Sequence, residues 1–154
     1  MYMKQIPASK TRGFTLIELL VVIGILAVLL AITLIAINPA RQFSQANNTN
    51  RSSDVNALLN AIHQYAADNK GALPTGITTE VQNISDAGAD ICSAIVTTYM
   101  AALPVDPLTN NGTPVTDCTA VYNTNYQVVQ SATNNRITIS APAAELEAVI
   151  SVTR

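Results

Sequence analysis

The motifs that usually announce catalysis are missing from this chain. It holds no Gly-rich phosphate loop, no HExxH, no CxxC and no GxSxG, which removes the commonest nucleotide, metallopeptidase, dithiol and serine-hydrolase readings. There is a single histidine, His63. It falls beside an apolar helical stripe and reads as a packed side chain, not a catalytic base. Aromatic residues make up only 5% and lie scattered, with no tryptophan, so no stacking platform for DNA or carbohydrate is legible. An enzyme is therefore not expected.

Charge is scarce as well. Charged residues are 12% of the 154 against 49% hydrophobic, which is poor in charge for a soluble domain. Three of the eight basic residues, Lys4, Lys10 and Arg12, stand before the main apolar run; five remain to face ten acidic side chains. That balance argues against nucleic-acid binding by one subunit. The two cysteines, Cys92 and Cys118, have no neighbouring histidine with which to hold a metal. One disulfide in an oxidising compartment is the expectation, with two buried thiols as the alternative.

What the chain does have is one long apolar run. Phe14 to Ile37 contains no Lys, Arg or Asp and only one Glu, Glu18. As a helix it would be about 36 Å long, enough for a hydrocarbon core of roughly 30 Å. The basic leader implies a cytoplasmic N-terminus with the C-terminal portion outside, which agrees with a disulfide. A secretory signal would be shorter and would close on a small-residue cleavage site. The one candidate of that kind, Ala36-Ile37-Asn38-Pro39-Ala40, matches poorly.

The stretch RGFTLIELLVVIGILAVLLAI resembles the class III signal of type IV prepilins and pseudopilins. The resemblance is dense from Lys10 to Ile32. It implies removal of a leader, residues 1–13, by a membrane prepilin peptidase that cuts between Gly13 and Phe14 and N-methylates Phe14. It also implies an assembly role for Glu18, whose carboxylate would attract the new amine of a neighbouring subunit. A charge buried without a partner in an apolar filament core is costly, so such pairing would select the axial register. Gly24 and Ala27 would let helices approach closely.

Beyond the run, Pro39 predicts a kink or break at Asn38. Ser44 to Asp54 has poor helix propensity and reads as a fraying or stretchable part of the stalk. Val55, Leu58, Leu59, Ile62 and Tyr65/Ala66 recur on one face, predicting an amphipathic helix to about Asn69 with Gly71 as its C′ residue. Residues 71–120 read mostly as loop, with one short helix near Ser93 to Ala102. Strands are expected over Asn125–Ser131 and Arg136–Ser140, then over Leu146–Arg154, where a helical turn is the alternative.

The expected fold is α+β and pilin-like. A long helix, transmembrane over 14–37 and amphipathic over 38–69, would pack on a small head, 70–154, with an antiparallel sheet of three or four strands. The resemblance implies a structural subunit that sits single-pass in the cytoplasmic membrane and then enters an extracellular type IV pilus or related filament. Its partners would be the lipid bilayer, the prepilin peptidase/N-methyltransferase, a membrane assembly platform and copies of itself. A major pseudopilin of a type II secretion system and a monomeric membrane-anchored binding module are the alternatives. No cofactor is expected apart from calcium. Asp106, Asn110, Asn111, Thr113 and Asp117 crowd one loop, and major pseudopilins bind calcium in a comparable place, so Asp106 and Asp117 are the calcium candidates; a solvated turn is the alternative.

Overall fold

A computed structural model describes residues 13–154. The expected leader therefore lies outside the described residues except for Gly13. The chain divides into two compact units, the first ending at Pro39 and the second being Ala40–Arg154.

The first unit is helix α1, Leu16–Ile37. Its start is set by a capping box. Thr15, extended at the N-cap, accepts from the Glu18 backbone N–H, and the Glu18 carboxylate accepts from the Thr15 backbone N–H. Two of the helix's otherwise unpaired first-turn donors are thereby satisfied. The end is set by Asn38, whose φ of 46° and ψ of 81° are left-handed, a conformation Asn tolerates better than most residues. Pro39 follows as the first residue of the next helix, where its missing N–H has no partner to lose. The break expected at Asn38 is present. No residue of α1 is buried.

The second unit begins along helix α2, Pro39–Asp68. Ser44 to Asp54 is continuous helix, contrary to the fraying expected there. Low propensity is overridden by side-chain bonds to the rest of the unit, described below. Val55, Leu58, Leu59, Ala61 and Ile62 are buried, as the periodicity required. The C-terminus differs in detail. Lys70, with φ 58°, takes the left-handed C′ position, and Gly71 follows it with φ 89°. The Gly71 N–H reaches back to the Ala66 carbonyl at 2.7 Å, the long-range bond of a Schellman closure, which puts Gly71 one place beyond C′.

Four antiparallel strands make one sheet in the order β1-β2-β3-β4: β1 Gln82–Ser85, β2 Asn123–Gln130, β3 Ile137–Ser140 and β4 Ser151–Thr153. β2 and β3 fall where alternation placed them. Tyr126 and Val128 point into the core from β2, and Ile137 and Ile139 from β3. β1 was not legible, because its QNIS carries one apolar residue; pairing to β2 makes it a strand. β4 is shorter than expected. Leu146 and Glu147 both have φ 57°, and the preceding Ala141–Ala148 segment closes as turns. The expected helix near Ser93 shrinks to α3, Cys92–Ile95, because Thr97 turns left-handed at φ 72°. The core gathers the α2 stripe with Ile84, Ile91, Ile95, Leu103, Tyr126, Val128, Ile137 and Ile139. Each fully buried Leu or Ile there contributes about 1.5–3 kcal/mol relative to exposure.

Candidate functional site

Two regions carry the residues singled out by the sequence. In the first unit, Gly13 stands in open space: a Cβ built on it would meet nothing within 4 Å. Phe14 is 86% exposed. Glu18 faces outward, and its Oε2 accepts both the Thr15 N–H (2.9 Å) and the Thr15 hydroxyl (2.7 Å), leaving Oε1 open. Thr15 went unremarked in the sequence reading. The signal was available, because Thr-Leu-Ile-Glu before an apolar run is a capping-box pattern.

In the second unit, one of the expected loop acids, Asp106, meets a buried arginine on α2. Arg51 is fully buried. Its Nε donates to Asp106 Oδ2 at 2.6 Å and its Nη2 to Asp106 Oδ1 at 3.2 Å. Its Nη1 donates to Glu145 Oε2 at 2.8 Å and to Asn48 Oδ1 at 3.0 Å. Glu145 also accepts from Ser44 and Asn47, and its backbone exchanges bonds with the Asn48 amide. The Asp106 carboxylate raises the Arg51 pKa further. The Arg51 bond, with those from Asn47 and Ser44, lowers that of Glu145. Beside this cluster Tyr126 donates to Asp54 at 2.7 Å. Burial raises the Asp54 pKa.

Arg51 escaped the sequence reading although its position was informative. It sits four residues before Val55, which places it on the same helical face as the apolar stripe. An arginine in that register has to be paired inside, and fork-shaped donors suit two carboxylates. What no pattern showed was which acids would meet it.

Cys92 and Cys118 are joined by a disulfide with a Cα–Cα distance of 5.4 Å. In the chain-entropy picture this loop contributes about 3.5 kcal/mol. It ties α3 to the loop ahead of β2. The two calcium candidates take up separate local roles. Asp106 is buried against Arg51 and also accepts from the Leu108 N–H. Asp117 accepts from the Thr119 N–H and hydroxyl, and these bonds lower its pKa. Among the described residues, no group of three or more His, Cys, Asp or Glu side chains is placed to hold a metal ion.

A model of the prokaryotic N-terminal methylation motif matches residues 8–34. The matched span holds Gly13, Phe14, the Thr15–Glu18 cap and most of α1. No curated protein and no solved structure matches the chain. The motif and the apolar helix together are consistent with a type IV pilin-like class III signal. α1 is long and apolar enough to cross a membrane.

Proposed function

We propose that the chain is a pilin precursor: it is cut between Gly13 and Phe14, methylated on the new Phe14 amine, held in a membrane by α1 and assembled into a type IV pilus or related filament. The match of the methylation motif to residues 8–34 carries this reading. Gly13 supports the position of the cut. No described residue packs against it, which leaves its backbone open to the close approach of a processing enzyme.

Glu18 serves twice in this reading. Within its own chain it caps α1 through Oε2. Its open Oε1 receives the methylated amine of the next copy as the helix leaves lipid. The cap lowers the cost of carrying an acid in a membrane helix, because the carboxylate already has two donors and lies near the interface. In the filament core the same acid is uncompensated until an amine meets it.

Mass spectrometry of the membrane-derived protein tests the processing. A mature chain beginning at monomethylated Phe14 is expected; a chain starting at Met1, or one cut near Ala40, overturns the reading. Glu18→Ala is expected to insert into the membrane normally and to yield no filaments; normal filaments from this variant would remove the pairing role. Electron microscopy of shed filaments separates the long pilus from the short pseudopilin filament of type II secretion.

A further inference from the structure

Exposed apolar side chains flank one bonded pair at the start of the second unit. Ser44 on α2 donates to the Glu145 carboxylate at 2.9 Å, and Asn47 and Asn48 bond to the same residue. Phe43 precedes the first of these partners and is 71% exposed. Leu146 follows the second and is half exposed, and Val149, a little further on, is 92% exposed. Leu146 and Glu147 are both left-handed, with φ 57°, a region that is unfavourable for any residue with a Cβ. The turn holds this strain while Glu145 faces Arg51 and Leu146 stays outside. Strain of that kind is a pointer to function.

The place of Phe43 along the chain selects what covers these side chains. α1 has 22 residues and rises about 33 Å, so it fills a hydrocarbon core of roughly 30 Å. With α1 spanning a membrane as proposed above, its last residue, Ile37, lies at the outer edge of that core. Phe43 comes six residues later, and Pro39 to Phe43 are helical. That path is about 10 Å long, whatever the angle at Asn38. The headgroup layer is about 5–7 Å deep on each side. Phe43 is therefore kept within reach of the layer, and the bonds between α2 and Glu145 hold Leu146 to the same early part of α2.

We propose that this patch seats the second unit on lipid: Phe43, Leu146 and Val149 enter the headgroup boundary of the leaflet at which α1 ends. The inference rests on the membrane reading of α1 and adds a contact that α1 does not supply. Phenyl and aliphatic side chains settle at that boundary because it removes them from water without burying the backbone beside them. Glu147, exposed next to Leu146, disfavours an anionic surface, so the partner is a leaflet of zwitterionic headgroups. Withdrawal of the helix into a filament then has to lift this patch out of lipid as well.

The chain has no tryptophan, so a single introduced one reports its own surroundings. Full-length Leu146→Trp is reconstituted in phosphatidylcholine vesicles whose acyl chains are brominated near the headgroup. Quenched, blue-shifted emission is expected. Val121→Trp, at an 88% exposed position ahead of β2, should stay unquenched. A tryptophan at 146 adds lipid affinity of its own, so Phe43→Trp is also read with the turn intact. Adding Leu146→Ser and Val149→Ser should then weaken its quenching. An unquenched Leu146→Trp, equal quenching of Val121→Trp, or a Phe43→Trp signal indifferent to the serines overturns the proposal. Emission that moves to the blue only as the protein-to-lipid ratio rises also overturns it, and assigns the patch to a second copy. Release of the parent chain by alkaline extraction defeats the membrane reading and the seat with it. A chain that resists extraction but shows none of this quenching defeats the seat alone.

Discussion

The two long helices of this protein solve opposite problems. α1 is apolar on every side and buries none of its residues within the chain. α2 is polar over most of its surface, yet it buries Arg51, Val55, Leu58, Leu59, Ala61 and Ile62. Hydrophobicity alone would have put α1 at the core. The difference teaches that a helix is buried by whatever surrounds it. For α2 the surroundings are supplied by the same chain; for α1 the described residues supply none, and in the reading proposed above lipid and other copies do. Their termini follow the same logic. α1 is capped by its own Thr15 and Glu18. The polar early part of α2 is secured by distant residues, Asp106 and Glu145.

The comparison breaks most severely at Arg51. Arg51→Ala would leave the buried Asp106 carboxylate without its partner, at a cost of about 3–5 kcal/mol. Thermal unfolding of the full chain in detergent, followed by near-UV dichroism, should show a clear loss of midpoint, while membrane extraction of α1 stays unchanged. A variant as stable as the parent would mean that α2 does not depend on this cluster.

The converse variant is Leu26→Lys, in the middle of α1. A lysine at the centre of a membrane helix costs about 2.5–3.5 kcal/mol on insertion scales. Alkaline extraction should release this protein, and the unfolding midpoint of the second unit should be unaffected. Equal damage to both properties would dissolve the distinction between the two helices.

Acid sharpens the contrast further. Arg51, Asn47 and Ser44 lower the Glu145 pKa from its ordinary value of 4.5. A carboxyl depressed in the folded state adds stability above its unfolded pKa and loses it as pH falls through the folded value. Asp54 works in the opposite direction, since burial raises its pKa. Glu145→Gln separates the two. It should be less stable than the parent at pH 7, and the gap should close as the pH drops below about 4.5. A gap that stays constant down to pH 2 would show that Glu145 acts through shape and not charge.

The smallest effect concerns the end of α2. Lys70 occupies a left-handed position at φ 58°, where a Cβ is unfavourable. Lys70→Gly should stabilise the second unit by up to about 1 kcal/mol. Hydrogen exchange of the last α2 turn would register the change as slower opening.

Much of this architecture was legible because it is written in periodicity. The Val55–Ile62 stripe, the alternation around Tyr126–Val128 and Ile137–Ile139, and the break ahead of Pro39 each follow from residues close together in sequence. The misreadings also have a common cause. The Ser44–Asp54 segment and strand β1 owe their states to partners far along the chain. Local propensity cannot anticipate such partners. The Thr15–Glu18 cap is different: its pattern is local, and Thr15 is recognised as the cap only together with the glutamate three residues on.

The sequence by itself determined the N-terminal methylation motif, the membrane-capable helix and the amphipathic stripe, since each depends on residue order within a few turns. Only the tertiary structure decided where the charges went. It placed Arg51 between Asp106 and Glu145, 55 and 94 residues away, and turned Asp106 from an expected loop ligand into a buried counter-ion. A charge in a low-dielectric interior is tolerable only beside its partner, and which residues become neighbours is settled when the sheet and α2 close on one core.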